Sequence, residues 1–307
     1  MNRRKFLYNM SLTGAAVYVS GFSNSLFGMD KGQITKLTIL HTNDVHSRLD
    51  PFPIDGTKYQ GLGGVTKRAA LIKKIRTEEK NVLLFDCGDI VQGTPYFNMF
   101  GGTPEYEMMN AMKYDASTLG NHDFDTGIQK LADLQSLATF PMINCNYDLK
   151  NTPMNGLTVP HRVFVKDGLK IGVYGVGIDL KGLVTSKQTG ELVYHDPIEM
   201  GNAAAAILKH EMKCDLVICI SHLGYKYKEN KVSDVIMAQN SRDVDIILGG
   251  HTHTFLDKPD LIKNKEGELV MVNQVGWAGI RLGRLDITFE KGGKNSCVSC
   301  DNMWVRN

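Results

Sequence analysis

Gly120, Asn121, His122, Asp123, Phe124 and Asp125 come directly after Leu119 and pack four polar side chains into one turn. Four other apolar runs also end abruptly in Asp or His. They are Leu37 to Leu40 before Asp44 and His46, Val82 to Phe85 before Asp89, Leu216 to Ile220 before His222, and Val244 to Leu248 before His251 and His253. Two divalent metals about 3.5–4 Å apart need oxygen and imidazole ligands, with a carboxylate able to bridge them. These residues supply those donors. Asp44 and His46 are two apart, so on an extended segment both side chains point the same way. Asp89 follows Gly88 and Asn121 follows Gly120, and a missing side chain lets the backbone turn tightly beside a metal. The amide oxygen of Asn121 is a neutral ligand, which avoids excess negative charge near a phosphate. Taken singly, each element has an ordinary reading: a His after a strand is commonly a hydrogen-bonded residue, and Asp after Gly is turn chemistry. Asp125 could equally cap a helix beginning near Gly127. Recurrence at the carboxyl ends of apolar runs, where open α/β sheets place their sites, points to a metal centre.

Those ligands need a scaffold, and strand-like runs alternate with helix-like ones from about Lys36 onward, which predicts an α/β domain. Val65, Ala69, Ile72 and Ile75 are spaced for one face of a helix, led in by Gly61 to Gly64. Asp196 and Pro197 read as an N-cap and first helical position for a helix running through Ala203, Ile207 and Met212. Val163 to Val165 and Ile171 to Val176 flank a Lys166-Asp167-Gly168 turn, which predicts a hairpin and hence a mixed sheet. Residues 146–159 read as a loop. Leu269 to Val272 and Leu285 to Phe289 are late strands, and residues 291–307 read as a polar tail, leaving one domain over 36–290.

The 307-residue chain, 42% apolar and 22% charged, has the composition of a soluble globular protein. Its formal net charge is +2; without Arg3, Arg4 and Lys5 the balance is 2 − 3 = −1, which gives no sign of a nucleic-acid-binding polycation. Those three residues open a segment, 1–30, that reads as an export signal with a twin-arginine n-region and a periplasmic destination; an ordinary secretory signal holding two arginines is the other reading. A membrane association is expected only if that signal is retained as an anchor. Cys87, Cys145, Cys214 and Cys219 lie in or beside apolar runs, as small buried hydrophobes do. Cys297 and Cys300 form one Cys-x-x-Cys, compatible with zinc, a local disulfide or two free thiols.

The ordered set Asp44-x-His46, Gly88-Asp89, Gly120-Asn121-His122-Asp123, His222 and Gly250-His251-x-His253 resembles the calcineurin-like metallophosphatases. His41-Thr42-Asn43-Asp44, Gly63-Gly64 before a basic helix and Ser221-His222-Leu223-Gly224 are similar to the 5′-nucleotidase branch of that superfamily. The resemblance covers roughly Leu37 to Phe289. It implies a single-domain, mixed-sheet αββα sandwich and two divalent ions, manganese, zinc, iron or cobalt. By that resemblance Asp44, His46, Asp89 and His253 bind one ion, and Asp89, Asn121, His222 and His251 bind the other, with Asp89 as the bridge. His122 and Asp125 form a catalytic pair that stabilises the transition state or the leaving oxygen. Position 123 is Asp where the branch often has Glu, and it carries no ligand role.

The implied reaction is hydrolysis of a phosphate monoester, a nucleotide by analogy, through a metal-bound hydroxide. Other readings are a cyclic-nucleotide phosphodiesterase, a sulfur-ester hydrolase, or a non-catalytic subunit needing a partner. Enzymes of this branch usually add a second domain that stacks the nucleobase between aromatic rings. Here either a separate chain is expected to supply it or the substrate is smaller, with Trp277 and Trp304 as candidate aromatic surface or as packing.

Overall fold

The computed structural model describes residues 34–229, 231–290 and 294–306, with side chains from residue 299 onward in the last stretch. The expected export signal over 1–30 and the side chain of Cys297 lie outside the described residues.

In chain order the strands are β1 (Ile34–Thr42), β2 (Val82–Asp86), β3 (Ala116–Ser117), β4 (Met142–Ile143), β5 (Tyr147–Asp148), β6 (Thr158–Val159), β7 (His161–Lys166) and β8 (Leu169–Gly177). There follow β9 (Val193–Tyr194), β10 (Leu216–His222), β11 (Ile246–Leu248), β12 (Asp260–Lys263), β13 (Leu269–Asn273), β14 (Arg281–Glu290) and β15 (Lys294–Trp304). The helices are α1 (Val65–Glu78), α2 (Pro95–Phe100), α3 (Thr103–Met112), α4 (Ile128–Leu137), α5 (Ser186–Thr189), α6 (Pro197–Ala206) and α7 (Asp234–Asn240).

Two sheets stack face to face. One holds seven strands in the order β15-β14-β1-β2-β3-β4-β6, the other six in the order β12-β13-β11-β10-β8-β7. Strand alternation explains the layers, because successive side chains point to opposite faces. In β2, Leu83 and Phe85 join the core between the sheets while Val82 and Leu84 face the helices. In β10, Leu216, Ile218 and Ile220 point inward, and Val217 and Cys219 meet Ala204, Ala205 and Met237 of α6 and α7. On the other side Ile72 and Ile75 of α1 and Tyr106 and Met109 of α3 cover the seven-stranded sheet. The result is the expected αββα sandwich with mixed sheets. Central strands β1, β2 and β3 run parallel, as do β8, β10 and β11, while β14 and β7 pair antiparallel at the flanks.

Several local expectations hold. The α1 helix and the β7–β8 hairpin form where the spacing placed them, and the Asp196 carboxylate accepts from the backbone N–H groups of Ile198 and Glu199 at 2.7 and 3.0 Å. Three need correction. The helix from Pro197 loosens into a π-helical turn over Ile207–Glu211 rather than continuing regularly to Met212. Residues 146–159 are not all loop, since Tyr147–Asp148 pairs with Val193–Tyr194 and Thr158–Val159 pairs with Met142–Ile143. The tail expected over 291–307 contains β15, which runs antiparallel along β14 from Glu290↔Lys294 to Arg281↔Trp304. Its polarity reflects an edge position and an inward polar pair: Asn302 exchanges two side-chain hydrogen bonds with Asn273, at 2.9 and 3.0 Å. No helix among the described residues is long and apolar enough to cross a membrane.

Candidate metal centre

All seven expected ligands emerge where parallel strands end. Asp44 and His46 follow β1, Asp89 follows β2, Asn121 follows β3, His222 closes β10, and His251 and His253 follow β11. Loops from the seven-stranded sheet meet loops from the six-stranded sheet across the open edge of the sandwich, so the site straddles both.

The backbone at Asp44 and His46 is not extended, as their spacing of two suggested. Asp44, His46, Asp89, His251 and His253 have φ values of 50, 51, 55, 74 and 52°. Left-handed backbone is uncommon for residues with a side chain, and it clusters at functional sites held by their surroundings. Here the hold is a ladder between loops: the N–H groups of Asp44, His46 and Ser47 donate to the carbonyls of Gly88, Asp89 and Ile90 at 3.0, 3.1 and 3.0 Å. The N–H of His251 donates to the Asp44 carboxylate at 2.9 Å. Gly120 is required by proximity, because a Cβ there would lie 2.2 Å from Asp89 Oδ1.

Two groups of three converge within ion-binding reach: Asp44, His46 and His253, and Asp89, His222 and His251. Each draws from both sheets. The Nε2 atoms of His46 and His253 lie 3.0 Å apart, at 3.9 and 3.4 Å from Asp44 Oδ1. Two imidazole nitrogens that close, both turned to one carboxylate, need a cation or a proton between them. In the second group the Nδ1 of His222 is bonded to the Cys87 carbonyl at 2.6 Å, which leaves Nε2 to face Asp89 Oδ2 at 3.1 Å without a hydrogen bond. That is how a backbone carbonyl fixes the tautomer of a metal-ligating imidazole. Asn121 Oδ1 and His251 Nδ1 meet at 2.7 Å on the same side. Asp89 Oδ2 also lies 3.7 Å from His46 Nε2, so one carboxylate oxygen faces both groups.

The electrostatics fit cations. Burial lowers the pKa of His46, and burial followed by His222 lowers His251 to about 4, so both imidazoles are neutral and offer lone pairs. Burial would lower His222 too, but the Asp89 and Asp44 carboxylates outweigh it and raise it to about 10. Burial would raise Asp89, yet His222, His46 and His122 hold it well below the usual carboxylate range. The donor set therefore demands positive charge at its centre, and oxygen with imidazole donors suits divalent transition metals.

His122 stands at the mouth in a short 3-10 turn, its Nδ1 2.8 Å from Asp125 Oδ2 and its backbone N–H on Asp89 Oδ1 at 2.8 Å. Burial pulls its pKa down, but Asp89 and Asp125 prevail and raise it. Asp125 does not cap α4, whose N-cap is Gly127 without a side-chain bond. A cavity of about 290 Å³ opens beside these groups, lined by His46, His122, His253, Arg48 and Trp277 among others. Trp277 is packing and surface at once, stacked on His253 with ring centres 5.6 Å apart.

Sequence reasoning left Asp123 without chemistry. Its buried carboxylate accepts three backbone N–H groups, from Gly120 at 2.8 Å, Ile90 at 3.0 Å and Asp89 at 3.1 Å. It ties the loop carrying Asp89 to the loop carrying Asn121. Burial, then the charge of Asp89, pushes it up to about 7. The only sequence signal was its place inside the turn.

An αββα sandwich with two His/Asp groups at the ends of its parallel strands defines a class, the phosphoesterases built around a metal centre at that edge. The family model for calcineurin-like phosphoesterases matches residues 37–255, and the chain belongs to that family. It is similar to snake venom 5′-nucleotidase of Naja atra, with 34% identity over 285 residues covering 84% of this chain and 51% of that protein. Among solved structures it is similar to the 5′-nucleotidase precursor from Thermus thermophilus, with a TM-score of 0.80, 31% identity, and coverage of 88% of this chain and 54% of that one. It is also similar to the calcineurin-like phosphoesterase YfkN from Bacillus subtilis, at a TM-score of 0.69 and 26% identity, covering 88% of this chain and 91% of that one. The chain spans about half the length of the curated 5′-nucleotidases it matches.

Proposed function

We propose that this chain is an exported phosphoesterase with a dinuclear metal centre that hydrolyses phosphate monoesters of the nucleotide class. The observation that carries the reading is the pair of converging ligand groups with one Asp89 oxygen facing both. Asp44, His46, Asp89 and His253 would hold one divalent cation, and Asp89, Asn121, His222 and His251 the other. When bound, such ions supply Lewis acidity to phosphoryl oxygens and acidify a water.

The chain's own residues do the rest. Asn121 presents a neutral oxygen and so adds no charge against an incoming phosphate. With Nδ1 of His122 tied to Asp125, Nε2 is the nitrogen left to hydrogen-bond the ester oxygen that departs. The imidazoles that line the cavity would accept the phosphoryl group, and the remainder of the substrate would lie along its other lining residues. The nucleotide assignment rests on the 5′-nucleotidases to which the chain is similar.

A panel of AMP, 2′,3′-cyclic AMP, bis-p-nitrophenyl phosphate and a thiosulfonate, assayed with manganese, tests the ester class. AMP should be the fastest. Preference for either diester or for the thiosulfonate would replace the monoester assignment. His122→Asn should lower kcat by about 100-fold or more while metal content stays intact, whereas Asp89→Asn should lose both. Unchanged turnover in the His122 variant would remove that residue from the reaction.

A further inference from the structure

Residues 178–195, between β8 and α6, leave the six-stranded sheet and strap across to the turn that carries His122 and Asp125. Ile178 and Leu180 are buried in the core on the helix side of the seven-stranded sheet, and Val184, Leu192 and Tyr194 pack against it. Tyr194 pairs with Tyr147 in the two-stranded β5–β9 sheet, and the Tyr147 hydroxyl donates to the Ile178 carbonyl at 2.5 Å. Both roots of the strap are thus fixed. Between them α5 brings one side chain to the turn: Gln188 Nε2 donates to the Asp125 carbonyl at 2.8 Å. Gln188 is itself held, because its Oε1 accepts the hydroxyl and the N–H of Thr185 at 2.7 and 3.2 Å in a capping box. With the oxygen committed to two donors, the amide nitrogen is the end that meets Asp125.

The receiving turn needs that hold. Asp125 closes the 3-10 turn with its N–H on the His122 carbonyl at 3.1 Å. Two residues on, Gly127 has a φ of 89° and open space where a Cβ would lie, so neither a side chain nor sterics stiffens the exit. The Asp125 carboxylate must nevertheless stay on His122 Nδ1 at 2.8 Å, and the two side chains are 26% and 37% exposed, where water competes for the same bond. We propose that Gln188 is a positioning residue for the reaction: by tying the Asp125 peptide to the strap it keeps the carboxylate on His122, so that Nε2 stays aimed at the departing ester oxygen. The proposal rests on the phosphoesterase reading above. The tie also joins the two sheets beside the site, since the strap grows from β8 and the turn from β3.

The leaving group supplies a readout that a merely structural role does not move. A nucleoside alkoxide departs poorly without a hydrogen bond to its oxygen, whereas p-nitrophenolate departs unaided. Gln188→Glu keeps an oxygen for Thr185 but turns a second oxygen, not a donor, toward the Asp125 carbonyl; Gln188→Met removes the donor without adding charge. Assayed in the full chain with manganese, both should lower kcat for AMP about tenfold to a hundredfold and kcat for p-nitrophenyl phosphate by less than about threefold, with KM and metal content unchanged. Thr185→Val, which breaks the cap and spares the donor, should leave the ratio of the two rates as in wild type. Equal losses on both esters, or loss of metal, would make Gln188 a residue of the fold, and no loss would make it idle; either overturns the proposal. Amide hydrogen exchange separates this tie from the reading beneath it: the Gln188 variants should exchange faster over residues 123–128. If wild type hydrolyses neither ester while that difference holds, the phosphoesterase reading falls and the hold on the His122–Asp125 pair stands. Unchanged exchange sinks the hold whatever the activity.

Discussion

At the scale of single residues the site divides into groups that the sequence announces and groups that it hides. The candidate ligands are legible because each is a polar residue at the end of an apolar run, and a buried strand end has little other use for a His or an Asp. Asp123 is hidden because its partners are backbone N–H groups, which carry no residue code. Replacing it tests its positioning role. Asp123→Asn keeps the shape but turns an N–H donor toward one of the three amides, and a buried unsatisfied donor costs about 1–3 kcal/mol. The variant should unfold earlier in denaturant and bind manganese more weakly with all seven proposed ligands in place. A metal affinity equal to wild type, read by calorimetry, would show that the loops hold their positions without it. Arg48 was invisible for another reason, and Trp277 was read only as candidate aromatic surface or packing: a cavity lining is assembled from segments more than 200 residues apart.

At the scale of elements, periodicity identified the buried strands and α1, where one physical demand, burial of alternate or every third to fourth side chain, repeats along the segment. It misjudged the loop after β1, where side-chain direction is set by left-handed backbone rather than by pleat. It also missed β15, in which the buried position Asn302 is polar because it pairs with Asn273. The same interior polar chemistry makes β1 sensitive to acid. His41 is wholly buried, its Nε2 beside the Asn273 amide at 2.9 Å, and burial lowers its pKa to about 3. From the ordinary imidazole value of 6.5 down to that point the unfolded chain takes up a proton that the folded one refuses, so stability falls as pH falls. The slope is about 1.4 kcal/mol per pH unit for one such group. Asp86, Asp123 and Asp234, raised mainly by burial to about 6, 7 and 7, act in the opposite sense over part of the range. The difference from a His41→Asn variant isolates the effect: in chelator, wild-type urea midpoints should drop more between pH 6.5 and 5 than those of the variant. Parallel curves would assign the acid sensitivity elsewhere.

At the scale of the whole molecule, the sandwich includes the last strand. Cutting the chain after Glu290, the boundary suggested by composition, would strip β14 of its antiparallel neighbour along its length. It would also remove Val305, whose carbonyl accepts the Gly63 N–H at 2.8 Å and whose N–H donates to the Ile280 carbonyl at 2.9 Å. The lost ladder and the bared edge should cost about 3 kcal/mol or more, roughly 10 °C in Tm, and the fragment should self-associate. Scanning calorimetry and light scattering check both; a monomer of unchanged Tm would make β15 an ornament. Each candidate metal-binding trio takes members from both sheets: Asp44 and His46 with His253, and Asp89 with His222 and His251. Neither half of the molecule therefore assembles a candidate trio by itself. On the proposed ligand assignment, metal content would report assembly, since only a chain whose halves have closed in register brings either trio together.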